Sequence, residues 1–223
     1  MNIVRRSTLA IALVGLVGAC SLAGAASKAI ALPDAKIDAP LAAGKDQVAV
    51  FAGGCFWGLE AVFEHVKGVK DVVSGYSGGS AMTAHYAVVG TGQTGHAEAV
   101  RVVYDPKLIS YGQLLKVYFS VAHDPTQLNR QAPDSGTQYR SEVFAASAEQ
   151  QKLANAYIAQ LTAAKAFNAP IVTKVEPLKA FYPAEAYHQD YLSLHPNEPY
   201  IVYNDAPKLV HLKQLYPQMY KGS

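Results

Sequence analysis

The stretch Gly53-Gly54-Cys55-Phe56-Trp57-Gly58 follows a short apolar run, Val48 to Phe51, and begins a helical pattern. The apolar run is typical of a buried strand. The chain therefore brings a cysteine thiol to the first turn of a helix, with two aromatic side chains beside it. Unpaired amide N–H groups and the positive end of the helix dipole at such a position favour the thiolate over the thiol. We therefore expect a reactive Cys55.

The composition is that of a folded domain. Half of the 223 residues are hydrophobic and 16% are charged, which is enough apolar material for a real core. Removing Arg5 and Arg6, which lie in a predicted signal, from the 19 basic residues leaves 17, equal to the 17 acidic residues. The chain has no basic stripe interleaved with aromatic residues, so we expect no nucleic-acid partner.

The first 25 residues are typical of an export signal. Met1 to Arg6 form a short positive region, and the apolar run Leu9 to Val17 is too short to span a bilayer as a mature helix. Val17-Gly18-Ala19-Cys20 resembles a bacterial lipoprotein box, which would make Cys20 a lipidated N-terminus. Ala23-Gly24-Ala25 instead fits a site for simple secretion, and both routes remain open.

Either route predicts a protein of the bacterial cell envelope, in the periplasm. A lipid on Cys20 would anchor it to a membrane, and Ser21 at the next position favours the outer membrane. We expect residues 1–25 to be the export signal, residues 26–46 to be a tether rich in Ala, Lys, Asp and Pro, and residues 47–223 to form one catalytic domain. No Pro-, Gly- or Ser-rich linker divides that domain.

Processing leaves Cys55 as the one usable thiol in the mature sequence. Exported proteins normally use cysteines in pairs as structural disulfides. A single unpaired cysteine is better explained by reactivity, although a small buried hydrophobic residue is the alternative.

A second chemical group is predicted on the strand from His96 to Tyr104. Its alternation places Glu98 on the same face as Val100, Val102 and Tyr104, the more apolar face. A carboxyl group on the core-facing side of a strand is partly desolvated, which raises its pKa and favours the protonated acid. A glutamate at the strand edge pointing to solvent is the alternative.

The remaining patterns mix helices and strands without a strict βαβ rhythm. They predict a compact two-layer α+β domain, a sheet with helices packed on it. The expected helices are Cys55 to Gly68, one capped by Ser110, one at 148–165 with a Ser147–Gln150 capping box, a short one from Tyr187 to Leu194 and a last one around 209–215. The expected strands are 69–75, 137–145, which holds Tyr139, and 171–175. Two loops are expected, at 76–95, which holds Tyr86, and at 126–136, which holds Asp134.

Several chemistries compete for Cys55. The seven histidines show no HExxH or HxH spacing and the chain has no Cys-x-x-Cys, so a metal site is not expected. No GxGxxG or Walker pattern supports nucleotide binding.

A cysteine hydrolase would pair Cys55 with His96 or His123, but it leaves the Phe-Trp pair unexplained. A thiol oxidoreductase explains that pair better, because aromatic faces hold a thioether methyl group while the thiolate attacks an electrophilic sulfur or oxygen.

The Cys55 stretch resembles the signature of the class A peptide methionine sulfoxide reductases. Further segments match that family in the same order over roughly residues 47–196. They are Gly78-Gly79, Tyr86, Thr94-Gly95-His96-Ala97-Glu98, Tyr104-Asp105-Pro106, His123-Asp124-Pro125, Asp134, Gly136 to Ser141, and Phe181 to Glu185 with Tyr187-His188-Gln189.

The resemblance implies roles for seven residues. Cys55 would be the nucleophile that attacks the sulfoxide sulfur, and Glu98 would protonate or hydrogen-bond the sulfoxide oxygen. The other five are implied to bind the substrate: Phe56 and Trp57 around the methyl group, the hydroxyls of Tyr86 and Tyr139 beside Glu98, and Asp134 in the supporting hydrogen-bond network. The family reduces the S epimer of methionine sulfoxide, free or in proteins, without a metal or organic cofactor. Its fold is a two-layer α/β sandwich resembling the ferredoxin-like arrangement.

The sequence departs from the family in one respect. Many members carry resolving cysteines near the C-terminus, and residues 196–223 contain none. We therefore expect the sulfenic acid on Cys55 to be reduced directly by an external thiol, such as a thioredoxin-like or glutaredoxin-like donor. The expected partners are oxidised proteins and this donor, with the protein itself a monomer. The alternatives are a thiol peroxidase, a cysteine hydrolase, or an envelope lipoprotein that binds oxidised peptides without turnover.

Overall fold

The computed structural model describes residues 29–222, which contain a six-stranded sheet and a two-stranded hairpin. The predicted export signal, residues 1–25, lies outside the described residues. The strands are β1 (Gln47–Ala52), β2 (Val69–Ser77), β3 (Ala97–Tyr104), β4 (Arg130–Gln131), β5 (Asp134–Ser135), β6 (Glu142–Ala145), β7 (Lys174–Pro177) and β8 (Phe181–Pro183). The helices are α1 (Phe56–Glu64), α2 (Tyr86–Val89), α3 (Tyr111–Val117), α4 (Ala148–Ala163), α5 (Tyr191–Leu194) and α6 (Ala206–Leu215).

The large sheet has the strand order β7-β6-β1-β3-β2-β8, and only the β6–β7 pair is parallel. The four central strands, β6-β1-β3-β2, are connected through α1 and α3 in the split βαβ manner of ferredoxin-like domains. The predicted α+β class and its sandwich architecture are therefore confirmed. Strands β4 and β5 form a separate hairpin.

The main core lies between the sheet and the helices. Ala49 and Phe51 of β1 face it, whereas Val50 and Ala52 belong to a smaller apolar cluster on the opposite face of the sheet. This two-sided burial explains why β1 has a continuous apolar sequence rather than an alternating one. The tyrosine hydroxyl of Tyr118 donates a hydrogen bond to the Ala52 carbonyl at 2.6 Å and fixes the end of this strand.

Several predicted boundaries differ from the structure. The segment 137–145 is not one strand, because Thr137–Tyr139 form a single 3₁₀ turn after Gly136 and only Glu142–Ala145 pair in the sheet. The predicted strand at 171–175 is shifted to Lys174–Pro177. Ser147 caps α4 as predicted, but Gln150 Oε1 accepts a hydrogen bond from Ala146 N and not from the Ser147 backbone, so the capping box is only half formed.

The segment 30–39 lies within the predicted tether, yet it packs against the domain. Leu32 is buried in the main core, and its N–H donates to the Tyr216 hydroxyl at 3.0 Å. Asp38 accepts hydrogen bonds from Gly112 N at 2.7 Å and from the Ser110 hydroxyl, so it caps α3. The packed domain therefore begins before residue 47, because an apolar residue and a capping carboxylate in this stretch both find partners.

Candidate active site

Cys55 occupies the N-cap of α1, directly after a tight turn that follows β1. The turn depends on Gly54, whose φ of +98° lies in the left-handed region that side chains rarely adopt. A Cβ at this position would also lie 2.7 Å from Gln131 Cγ. The thiol is only 9% exposed, in agreement with a site that limits the access of water.

Glu98 lies beside this helix terminus, because β3 runs antiparallel to β1 and begins where β1 ends. Its Oε2 accepts a hydrogen bond from Phe56 N at 3.1 Å, in the first turn of α1. Glu98 is 2% exposed, so the sequence-based expectation of a core-facing carboxyl holds and the solvent-facing alternative is wrong.

Burial dominates the protonation of Glu98 and raises its pKa to about 8. The Phe56 N–H acts in the opposite direction, while the carboxyl groups of Asp134 and Asp205 add to the rise. A carboxyl group with this pKa is mostly protonated at neutral pH, so Glu98 can donate a proton to an oxygen atom.

The protonation of Cys55 differs from the prediction. Burial raises the pKa of the Cys55 thiol well above its usual value, and the charges of Glu98 and Asp205 act in the same direction. A hydrogen bond from the Trp57 backbone N–H favours the thiolate, as the helix-terminus argument requires, but it is outweighed. The helix terminus acts in the predicted direction, but burial and two nearby carboxyl groups keep the thiol form favoured in the free protein.

Phe56 and Trp57 provide rigid aromatic surface next to the thiol. Phe56 is fully buried, with its ring centroid 5.0 Å from that of His188. Trp57 stacks on Tyr191 at 3.8 Å, and its indole N–H donates to His188 Nδ1 at 3.2 Å. Contacts on several sides hold the indole in one orientation, which suits a pocket for a small apolar group.

The two predicted tyrosines and Asp134 complete the group. The pKa of Tyr86 is raised to about 12, mainly by burial and then by the charges of Glu98 and Cys55. The pKa of Tyr139 is also raised, mainly by burial and then by the charges of Glu98 and Asp134. Both hydroxyls are therefore protonated, and both lie within electrostatic range of the Glu98 carboxyl and the Cys55 thiol. Asp134 accepts a hydrogen bond from the Tyr200 hydroxyl. The structure thus brings all seven predicted site residues together.

The histidines do not pair with the thiol. His123 uses one ring nitrogen toward the Tyr118 carbonyl at 3.0 Å and the other toward the Ser141 hydroxyl at 2.7 Å, and burial lowers the pKa of His123 to about 4. His96 is likewise engaged by Gly79 N at 3.2 Å and the Ser80 carbonyl at 2.9 Å. Within residues 29–222, no histidine hydrogen-bonds Cys55, which is the pairing that a cysteine hydrolase uses.

Sequence reasoning assigned no role in the site to five of its neighbours: His188, Tyr191, Tyr200, Asp205 and Lys208. The ring of His188 packs against the rings of Phe56, Trp57 and Tyr86. Tyr200, Asp205 and Lys208 lie in the tail, residues 196–223, and carry no sequence signal of their own. An aspartate three residues before a lysine is a common pattern on the surface of helices. Only the burial of Asp205 and Lys208 distinguishes this pair from a surface pair.

The described residues contain neither a metal-binding group of side chains nor a membrane-spanning helix. Over residues 29–222, no group of three or more His, Cys, Asp or Glu side chains is arranged to hold a metal ion. Over the same span, no helix combines the length and apolar character needed to cross a bilayer.

Comparison with known proteins gives one consistent family. A family model described as peptide methionine sulfoxide reductase matches residues 47–219. Peptide methionine sulfoxide reductase MsrA 2 of Mesorhizobium japonicum is 62% identical over 179 residues, covering 80% of this chain and 92% of that relative. MsrA 2 of Synechocystis sp. is 56% identical over 174 residues, covering 78% and 81%.

Solved structures agree. The reduced form of Mxr1 from Saccharomyces cerevisiae superposes with a TM-score of 0.62 at 36% identity, covering 73% of this chain and 92% of that one. Methionine sulfoxide reductase A of Corynebacterium diphtheriae gives a TM-score of 0.60 at 35% identity, covering 69% and 77%. The match spans most of the chain and includes the Cys55 turn and the Glu98 strand, and the chain therefore belongs to the class A peptide methionine sulfoxide reductases, enzymes that reduce methionine S-sulfoxide.

Proposed function

We propose that Cys55 is the nucleophile and Glu98 the acid in this reduction. The observation that carries the proposal is the placement of a thiol and a mostly protonated carboxyl at one helix terminus, where Phe56 N–H binds Glu98 at 3.1 Å. Phe56 and Trp57 form the surface for the methyl group. The hydroxyls of Tyr86 and Tyr139 assist Glu98 at the sulfoxide oxygen, and Asp134 supports the network through Tyr200.

The chemical step transfers one oxygen atom and two electrons. Glu98 gives its proton to the sulfoxide oxygen as Cys55 Sγ bonds to the sulfoxide sulfur, and the hydroxyl then moves to Sγ as the S–O and S–S bonds of this adduct break. The oxygen ends on Cys55 as a sulfenic acid, the substrate leaves as a thioether, and the thiol proton restores Glu98. The reaction as written needs no metal or organic cofactor.

The chain's cysteines suggest how the cycle closes. The sequence has cysteines only at positions 20 and 55, and Cys20 lies in the predicted signal. An external thiol attacks the Cys55 sulfenic acid and releases water, and a second thiol then restores Cys55 with formation of a disulfide in the donor. A thioredoxin-like or glutaredoxin-like protein is the donor class we propose, with oxidised proteins and peptides as substrates of a monomeric enzyme.

The epimers of methionine sulfoxide in a peptide provide the test of this function. With dithiothreitol as reductant, we expect turnover of the S epimer and none of the R epimer. An ester and an amide serve as controls, because a cysteine hydrolase would cleave them. Turnover of the R epimer, or hydrolysis without sulfoxide reduction, would contradict the proposal.

We propose a location in the cell envelope, on the sequence of the first 25 residues alone. A positive region, a short apolar run and the Val17–Cys20 box support export followed by lipidation, with anchoring at the outer membrane. Incorporation of labelled palmitate into the wild type but not into Cys20→Ala tests the lipid. Mature protein that begins after Ala25 and carries no label would support simple secretion instead.

A further inference from the structure

The tail of the domain buries an ion pair. Lys208 Nζ donates to Asp205 Oδ1 at 3.0 Å, and the two side chains are 11% and 1% exposed. Asp205 Oδ2 is buried without a partner among the described residues. The desolvation of two charges offsets much of their attraction in such a setting, so stability alone is a weak explanation for the pair.

The pair lies directly against the nucleophile. A cavity of about 10 Å³ is lined by Cys55, Tyr200, Asn204, Asp205 and Lys208, together with Gln131 and Ala132. This volume has room for about one water molecule.

The first turn of α1 is shaped to admit these two side chains. Gly58 lies in that turn, and a Cβ there would collide with the Asp205 carboxylate and lie 2.6 Å from Lys208 Nζ. The glycine therefore lets a cation and an anion approach the helix terminus that carries Cys55.

The charges around Cys55 are otherwise acidic or neutral. Lys208 is the one cationic side chain among the described groups that act on the thiol, and it lowers the pKa of Cys55, whereas Asp205 raises it. The other titratable groups that face the site are the following: Glu98 from β3, Tyr86 from α2, Tyr139 from the 3₁₀ turn, Asp134 from β5, Tyr200 from the tail, the neutral His123, and His188 and Tyr191 beside Trp57.

We propose that Lys208 is a positioning residue that stabilises negative charge on the sulfur of Cys55, and that Asp205 holds the ammonium group at the cavity. The proposal rests on the proposed role of Cys55 as the nucleophile. The Cys55 thiol is buried near carboxyl groups, which disfavour the thiolate. A fixed cation nearby lowers the free energy of the thiolate as the thiol loses its proton.

The pH dependence of Cys55 alkylation by iodoacetamide, followed by the mass of the Cys55 peptide from the full chain without substrate, tests the proposal. Lys208→Met is expected to raise the apparent pKa of Cys55 and to slow alkylation at pH 7 at least tenfold. Lys208→Arg keeps the charge and is expected to stay within a fewfold of wild type. Asp205→Asn removes the anion but keeps an Oδ1 that can accept the hydrogen bond from Lys208 Nζ, so it is expected to accelerate alkylation, the opposite direction.

Two further variants separate charge from structure. The double variant Asp205→Asn with Lys208→Met removes both charges and is expected to return toward the wild-type profile. Lys213→Met, on the exposed side of α6, is expected to leave the profile unchanged. If both single variants slow alkylation in proportion to their loss of thermal stability, the pair is structural and the proposal is overturned. Alkylation requires no sulfoxide, so this outcome is independent of whether Cys55 proves to be the nucleophile in turnover.

Discussion

Cys55→Ser is expected to reduce turnover of the S-sulfoxide peptide to the level of the reaction without protein. A serine hydroxyl is a far weaker nucleophile than a thiolate and cannot accept the oxygen atom as a sulfenic acid. The measurement is methionine formed per protein with dithiothreitol in excess. Because serine is close in size to cysteine and the site is buried, circular dichroism and thermal unfolding should show an intact fold.

The matched control is Cys20→Ser, which removes the other cysteine of the sequence. It is expected to keep full activity in the assay with dithiothreitol and with a protein thiol donor. Activity retained in Cys55→Ser would refute the assignment of the nucleophile. Loss of activity in Cys20→Ser with the protein donor alone would instead make Cys20 a resolving cysteine.

Glu98→Gln is expected to slow the chemical step by about 10²–10⁴-fold, the range for loss of a general acid. Glutamine keeps the shape and the contact to Phe56 N through its amide oxygen, but it has no proton to transfer. The measurement is the single-turnover rate of methionine formation, and a decrease of less than about threefold would contradict the role of Glu98.

The same variant tests the sign of the pH dependence. Since the pKa of Glu98 is raised to about 8, the acid form is present at neutral pH and is lost as the pH rises through 8. In the wild type we expect the single-turnover rate to fall above this pH, while in Glu98→Gln this decline is absent. Glu60→Gln is the matched control, since Glu60 is also a buried carboxyl with a raised pKa of about 7, but it faces Ser74.

Stability gives an independent check of the Glu98 pKa. The folded state holds a proton that the unfolded state releases above about pH 4.5, so this group's contribution to stability is lost as the pH rises from 4.5 to 8. The free energy of unfolding of Glu98→Gln relative to the wild type should therefore increase from pH 5 to pH 8. The difference between the two proteins cancels the background from the other buried carboxyl groups.

The sequence predicted side-chain burial best in the strands, where a pattern of apolar residues indicates which side chains face the core. A period of two placed Glu98 on the core-facing side of β3, and the structure buries it there, beside the thiol. The apolar run before Gly53 likewise predicted the central strand β1 that presents Cys55. Both inferences succeed because side-chain direction in a strand follows directly from chain position.

Other features depend on packing that no local pattern reveals. The pKa of Cys55 is set by burial and by carboxyl groups from β3 and the tail, which outweigh the helix terminus. The turn at 137–139 has the alternation of a strand but follows Gly136 at a φ of +141°, which redirects the chain. The packing of the segment 30–39 and the burial of the Asp205–Lys208 pair depend on partners that are distant in sequence.

A single turnover without any reductant tests the central claim most directly. The processed wild-type protein is mixed with excess S-sulfoxide peptide, and both the methionine formed and the mass of the Cys55 peptide are measured. We predict one methionine formed per protein molecule and a Cys55 peptide heavier by one oxygen atom. The sulfenic acid on Cys55 should be trapped by a reagent such as dimedone. An unmodified Cys55 after methionine has formed, or an intramolecular disulfide that involves it, would contradict the account.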